Sequence, residues 1–145
     1  MRHQFIAAVV AVISVFTLSG IAFAGSKMHV DEAKNHCNGM IASGEKALDH
    51  GGQGHPKVAL KHFKAMVNHA QECLTHGVEG IRASDASKAT KMHGPEAMDH
   101  VKEAISHGKT AIKHGEKGHA DIMMDHGKDA MLHAMEGQKH AQEMN

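Results

Sequence analysis

The chain has 145 residues, which suits a single domain, and its 16 lysines and arginines are balanced by 16 aspartates and glutamates. Because there is no basic excess, we do not expect a nucleic-acid partner. Tryptophan and tyrosine are absent, which excludes an aromatic-rich core, so small residues and methionine must provide the packing. Histidine is the outlier of the composition, with 16 copies.

The first 24 residues have the organisation of a secretory signal peptide. A short basic start, Arg2-His3, precedes an apolar stretch over residues 5–21 and the small-x-small cleavage motif Ala22-Phe23-Ala24. The apolar stretch is short for a transmembrane anchor, which is the alternative interpretation. We therefore predict cleavage after Ala24, export to the periplasm, and a mature chain of residues 25–145 that has no membrane anchor.

The mature histidines follow a heptad pattern that is duplicated along the chain. Steps of seven residues dominate, and every histidine between positions 29 and 76 has a counterpart 64 residues later. Of the 48 aligned positions, 17 are identical. Two copies of one unit are therefore predicted. The fifteen candidate metal ligands of the mature chain are His29, His36, His50, His55, His62, His69, His76, His93, His100, His107, His114, His119, His126, His133 and His140.

The residues between the histidines have a helical period. Apolar side chains recur one, four and five positions after a histidine, as in Phe63, Met66 and Val67 after His62. This pattern predicts amphipathic helices with each histidine at the flank of the apolar face, like a g position of a coiled coil.

Glycine and proline divide the pattern into four helices. His-Gly-x-x-Gly-His segments at 50–55 and 114–119 predict tight turns, and Pro56 and Pro95 are expected to open the helices that they precede. The predicted fold is all-α, an antiparallel four-helix bundle made of two duplicated helical hairpins. The hairpins are predicted over residues 25–76 and 93–145, with a linker over 77–92.

A metal site in such a bundle requires two helices. Histidines seven positions apart are separated by about 10.5 Å along the helix axis, too far to share an ion. Histidines equidistant from each turn are expected to lie at matched heights on the two helices, with Ser43 in place of a partner for His62. In a bundle of the other handedness, the first helix would face the fourth instead, and the sequence leaves this choice open.

Carboxylates and methionines provide further possible ligands. Glutamate or aspartate precedes histidine by four positions at six places, where it could ligate an ion or hold the ring. These pairs are Glu32–His36, Glu72–His76, Glu96–His100, Glu103–His107, Asp129–His133 and Glu136–His140. Methionine follows histidine by four positions at Met40, Met66, Met123 and Met144, and it is expected mainly as core filler.

The two cysteines, Cys37 and Cys73, have no copies in the second half. An oxidising compartment favours a disulfide between them. In the matched-height register, however, Cys37 lies level with residue 68, about 7.5 Å along the axis from Cys73. The sequence therefore leaves the disulfide undecided.

These features together resemble the bacterial small metal-binding protein family, the periplasmic histidine-rich four-helix bundles. The resemblance rests on the signal peptide, the His-Val-Asp-Glu-Ala segment at 29–33, the heptad histidines and the two His-Gly-x-x-Gly-His turns. It implies binding of several divalent metals, copper foremost, and a role in metal buffering or tolerance. Ser43 in place of a histidine, the two cysteines and the many methionines depart from that pattern.

Function is therefore expected to be metal capture rather than catalysis. Imidazole suits Cu(II), Ni(II) and Zn(II), and Cu(II) binds most tightly at a generic nitrogen and oxygen site. Paired Glu-x-x-His motifs for a di-iron enzyme and a Cys-x-x-Cys-His haem motif are missing, so we expect a monomer that is not an enzyme. The alternative is a pH-responsive structural or interaction protein, whose histidines would charge together below about pH 6 without any metal.

Overall fold

The computed structural model describes residues 25–144, which form four helices joined by short connections. The predicted signal peptide, residues 1–24, lies outside the described residues. Helix α1 pairs with α2 and helix α3 pairs with α4, while α2 packs beside α3 and α1 beside α4. The predicted all-α bundle of two hairpins is confirmed. The helices are α1 (Ser26–Gly52), α2 (Pro56–Arg82), α3 (Lys88–Glu116) and α4 (Ala120–Gln142).

None of these helices combines the length and the apolar character that a membrane crossing requires.

Both hairpin turns lie at the predicted His-Gly-x-x-Gly-His segments, and both have one geometry. In the first turn, the N–H of His55 donates to the carbonyl of His50 and the N–H of Gly54 donates to that of Gly51. Gly54 has a φ of 78°, as does Gly118 in the second turn, which repeats both hydrogen bonds. This pair of bonds, closed by a left-handed glycine, is the Schellman motif. The His-Gly-x-x-Gly-His spacing therefore predicts the end of a helix, with one histidine before the end and one after it.

The connection between the hairpins is shorter than predicted. Helix α2 continues to Arg82 and α3 begins at Lys88, so most of the segment predicted as a linker, 77–92, is helical. Ser87 caps α3 by accepting a hydrogen bond from the N–H of Thr90. The prediction that Pro95 opens this helix was therefore wrong, since Pro95 lies inside α3.

Gly77 and Gly80, which lie in the segment predicted as a linker, are buried contact points of α2. Added methyl groups at these two positions would overlap Met98 of α3 and Val30 of α1, respectively. Here glycine permits a close approach of side chains from neighbouring helices rather than interrupting the chain.

The connection also holds the start of α1. The carboxylate of Asp85 accepts a hydrogen bond from the backbone N–H of Ser26 at 2.9 Å, and the Ser26 hydroxyl donates to the carbonyl of Gly80 at 2.8 Å. Asp85 thus provides the negative charge that a helix N-terminus favours, although it belongs to another segment. These contacts lie at the end of the bundle opposite the hairpin turns, which we call the open end.

The core is built mainly from alanine and methionine, with a single phenylalanine ring, and it follows the duplication. Gly44 of α1 faces Met131 of α4, and at the duplicated positions Gly108 of α3 faces Val67 of α2. Phe63, which is fully buried, lies against Gly127, its own counterpart 64 residues later. The two hairpins are therefore related by an approximate two-fold axis. Phe63 and Gly127 lie on this axis, where the large side chain of one packs against the small residue of the other.

Candidate metal-binding sites

The fifteen histidines lie along two seams, between α1 and α2 and between α3 and α4. Thirteen are half-buried, and only His55 and His119 at the turns are exposed. Ring contacts run between the two helices of each hairpin, for example between His36 and His69, with ring centroids 5.8 Å apart. Of the two arrangements that the sequence left open, the structure therefore has the one with histidines paired inside each hairpin.

Within a seam, the histidines form a zigzag rather than level pairs. His107 of α3 contacts both His126 and His133 of α4, at centroid distances of 5.8 and 5.5 Å. His100 of α3 likewise contacts both His133 and His140 of α4. We call the seam of α3 and α4 the second ladder. From the open end to the turn its order is His93, His140, His100, His133, His107, His126, His114 and His119.

The seam of α1 and α2, the first ladder, is interrupted in the middle. Its outer segment consists of His29, His76, His36 and His69, and its inner segment of His62, His50 and His55, with neighbouring centroids 5.3 to 6.1 Å apart. The half-buried Ser43 lies at the duplicated position of His107. The missing histidine recognised in the sequence therefore divides this ladder in two.

The stagger corrects the predicted register and explains the disulfide. Because α1 continues to Gly52, the centre of the turn is Gly54, not the midpoint between His50 and His55. Residues at one height are consequently about three positions further along α2 than predicted. Cys73 then lies within about two positions of the height of Cys37, and the two form a disulfide with their Cα atoms 5.3 Å apart.

The duplicate of this pair is apolar. Val101 and Gly137 occupy the corresponding positions of the second hairpin, and the Val101 side chain lies against Gly137. A branched side chain packed on glycine thus takes the place of the cross-link in that half of the bundle.

Carboxylates complete two equivalent sites at the open end. Nδ1 of His29 lies 3.0 Å from Oε2 of Glu79, which is also 3.4 Å from Nδ1 of His76. The duplicated site has Nδ1 of His93 at 2.8 Å from Oε2 of Glu143, with His140 as its third member. In each site, donor atoms of all three side chains lie within 4.8 Å of one another.

Three further groups of the same kind lie along the ladders. They contain His36, Glu72 and His76; Glu96, His100 and His140; and His107, His126 and Asp129. Of the carboxylates predicted from their spacing, Glu72, Glu96 and Asp129 thus join a candidate site, although Asp129 faces His107 and not the predicted His133.

Glu32, Glu103 and Glu136 join no such group among the described residues. Sequence reasoning missed Glu79 and Glu143, because it searched only for carboxylates that precede a histidine. Both follow one by three positions and are duplicates of each other, a signal that was available in the sequence.

The turn of the second hairpin brings two histidine nitrogens close together. Nδ1 of His114 and Nδ1 of His119 are 3.2 Å apart. Two nitrogens that each bind a tetrahedral ion at about 2.0 Å lie about 3.3 Å from one another, so this pair has the spacing of a chelate. The Schellman motif between the two residues fixes their backbones. The corresponding pair, His50 and His55, is slightly wider, with centroids 6.1 Å apart rather than 5.5 Å.

Partial burial lowers the pKa of His114 below its usual value of 6.5, and the neighbouring positive charges of His119 and His126 add to the effect. The neutral ring, which is the form that binds metal, therefore persists to a lower pH than in a free histidine.

We expect NMR titration of the metal-free protein to give His114 a pKa below that of the same residue in the urea-unfolded chain. The unfolded chain binds a proton at this ring more readily than the folded chain does. Protonation of His114 should therefore lower the free energy of unfolding as the pH falls from about 6.5 through the folded-state pKa. His119→Gln should raise the pKa of His114, since it removes one of the neighbouring charges. An unchanged His114 pKa in that variant would contradict the assigned cause.

The donor set matches transition-metal chemistry. The Nδ1 atoms of His50, His76, His126 and His140 are buried without a hydrogen-bond partner. Such atoms are costly unless something satisfies them, and imidazole nitrogen with carboxylate oxygen suits Cu(II), Ni(II) and Zn(II). The four methionines that follow histidine by four positions are fully buried in the core. They are Met40, Met66, Met123 and Met144.

The fold and the ladders together define a metal-binding helical bundle. Residues 92–145, which include nearly all of the second hairpin, match the family of small metal-binding proteins. The resemblance seen in the sequence is thereby confirmed on this segment, which is similar to the small metal-binding protein family. A search of curated proteins gives no significant match.

Proposed function

We propose that this protein captures several divalent transition-metal ions in the periplasm, copper foremost and also nickel or zinc, for buffering, sequestration or tolerance. The main support is the pair of ladders, in which half-buried imidazoles are grouped at intervals with carboxylates. Copper is favoured because Cu(II) forms the most stable complexes with nitrogen and oxygen ligands among the common divalent ions. The periplasmic location rests on the signal peptide predicted from residues 1–24.

The ladders are suited to reversible capture. All the candidate ligands lie at the protein surface or just beneath it, with side-chain exposures of 17% for His140 and 27% for His76. An ion can therefore enter and leave without opening the core. Protons compete with metal ions for imidazole nitrogens, so acidification should release the metal. We propose storage and exchange of ions, not catalysis, as the role of these sites.

A second candidate function is a pH-responsive bundle that operates without metal. The observation in its favour is the spacing of the rings, which lie 5.3 to 6.1 Å apart along both ladders and would repel one another once charged. Metal stoichiometry distinguishes the two candidates, because only the first requires saturable uptake of several ions per chain.

The gap in the first ladder offers a direct test of the metal function. Ser43→His restores the histidine present at the duplicated position 107, between His62 and His69. We expect this variant to bind about one additional Cu(II) per chain at saturation, because it joins the two segments of the ladder. Copper per chain would be measured by elemental mass spectrometry after equilibrium dialysis.

Ser106→His is the matched control, since Ser106 is exposed and lies beside the second ladder without being part of it. Equal copper uptake by both variants would contradict a role for the ladder and indicate nonspecific binding by added histidine.

A further inference from the structure

His140 lies between two carboxylates at the open end of the second ladder. Its Nε2 is 3.5 Å from Oε1 of Glu96, and its Nδ1 is 3.7 Å from Oε2 of Glu143. The two nitrogens are separated by the imidazole ring, so each faces a different carboxylate. At 17% exposure, the His140 side chain is held in this place by its surroundings.

A second histidine accompanies each of these carboxylates. On the Glu96 side, the ring of His100 stacks on that of His140, with centroids 5.7 Å apart and planes 4° from parallel. On the Glu143 side, Nδ1 of His93 lies 2.8 Å from the carboxylate. Two groups of three donors therefore share one histidine, and each has a carboxylate and a further imidazole of its own.

The first hairpin repeats this arrangement with different neighbours. His76, the duplicate of His140, belongs to one group with His29 and Glu79 and to another with His36 and Glu72. The ring of His36 stacks on His76 at 5.6 Å, as His100 does on His140. In both shared histidines, Nδ1 is buried without a hydrogen-bond partner. The sharing thus occurs twice, at positions 64 residues apart.

We propose that His76 and His140 are bridging ligands, each of which joins two divalent transition-metal ions through its two ring nitrogens. This inference rests on the metal-capture function proposed above. The first ion binds the ring nitrogen that carries no proton. The second ion replaces the proton on the other nitrogen, and that proton passes to solvent. The resulting imidazolate carries a negative charge between two cations, which offsets their mutual repulsion.

The bridge distinguishes the open end from the rest of each ladder. At the turn, His114 and His119 are close together without a carboxylate in the same group, and the group of His107, His126 and Asp129 shares no histidine with another group. At the open end, each ion would have one carboxylate, one imidazole of its own and one shared imidazolate. Ions at the open end are therefore bound in pairs, and the binding of both ions of a pair requires the same histidine.

Electron paramagnetic resonance of the copper-loaded protein tests the bridge. Two Cu(II) ions joined by an imidazolate couple antiferromagnetically, and at liquid-helium temperature the pair gives no signal. Copper measured by mass spectrometry should therefore exceed the Cu(II) that resonance detects in the fully loaded full-length mature protein. His140→Asn or His76→Asn should each remove about half of this deficit, and the double variant should remove it all.

His133→Asn and His69→Asn are matched controls, because these histidines lie in the same ladders but in no carboxylate group among the described residues. Both should keep the deficit, and circular dichroism should show unchanged helix content in every variant. A resonance count equal to total copper in the wild type overturns the bridge while the capture function stands. A deficit that survives in the double variant also overturns it, and failure to bind copper at all overturns both proposals.

Discussion

Replacing Cys37 by valine and Cys73 by glycine is expected to lower the free energy of unfolding by about 4 kcal/mol. The disulfide joins residues 36 positions apart, and closing a loop of that length removes chain entropy from the unfolded state worth about 3–4 kcal/mol. Glycine within α2 adds up to about 1 kcal/mol. The two replacements reproduce Val101 and Gly137 of the second hairpin, so the native packing should be retained.

Urea denaturation followed by circular dichroism would measure this change. Wild-type protein in a reductant that does not bind metal is the control, and it should lose about 3–4 kcal/mol, since it lacks the cross-link but keeps both cysteines. A loss below about 1 kcal/mol in both samples would contradict a constraining role for the disulfide. A large loss in the variant alone would instead indicate that the valine and glycine pack poorly in the first hairpin.

Truncating Phe63 to alanine should destabilise the bundle by about 3–5 kcal/mol. Phe63 is the only phenylalanine of the described residues, is fully buried, and fills the space above Gly127 on the approximate two-fold axis. Alanine would leave a cavity above Gly127, between the two hairpins. Because domains of this size are stable by about 5–15 kcal/mol, the midpoint of urea denaturation should fall markedly.

Two further variants test whether the loss of stability arises from the contact on the two-fold axis. The exchange Phe63→Gly with Gly127→Phe conserves composition and volume, and approximate symmetry should let it retain more stability than Phe63→Ala. Leu132→Ala removes an apolar side chain that is 65% exposed and should change stability by no more than about 0.5 kcal/mol. If the exchange were worse than the truncation, the two hairpins would not be related as described.

The features that could be predicted from the sequence are those encoded locally. The heptad period defines each amphipathic face, and a left-handed glycine four positions after His50 and after His114 ends the helix whatever lies around it. Duplication then implies two similar hairpins. The same reasoning failed at Gly77 and Gly80, because a buried glycine that admits a neighbouring side chain has the same sequence appearance as one that breaks a helix.

The geometry of the ladders could be predicted only in part. The histidine set and the gap at Ser43 follow directly from spacing. The stagger does not, because it depends on how far α1 continues beyond His50 before the turn begins, and a difference of about three residues converts level pairs into a zigzag. That difference also decided whether Cys37 could reach Cys73. Glu143 follows His140 of the same helix by three positions, but its contact with His93 depends on the register of the opposite helix and could not be predicted from spacing alone.

Calorimetric titration of Cu(II) into the tag-free mature protein, residues 25–145, at about pH 7.4 and again at about pH 5 is the decisive measurement. Capture by the two ladders requires saturable uptake of several ions per chain at the higher pH and its loss at the lower pH, where the imidazoles are protonated. Uptake no greater than that of a scrambled peptide of the same composition would contradict metal capture and favour a histidine array that responds to pH alone.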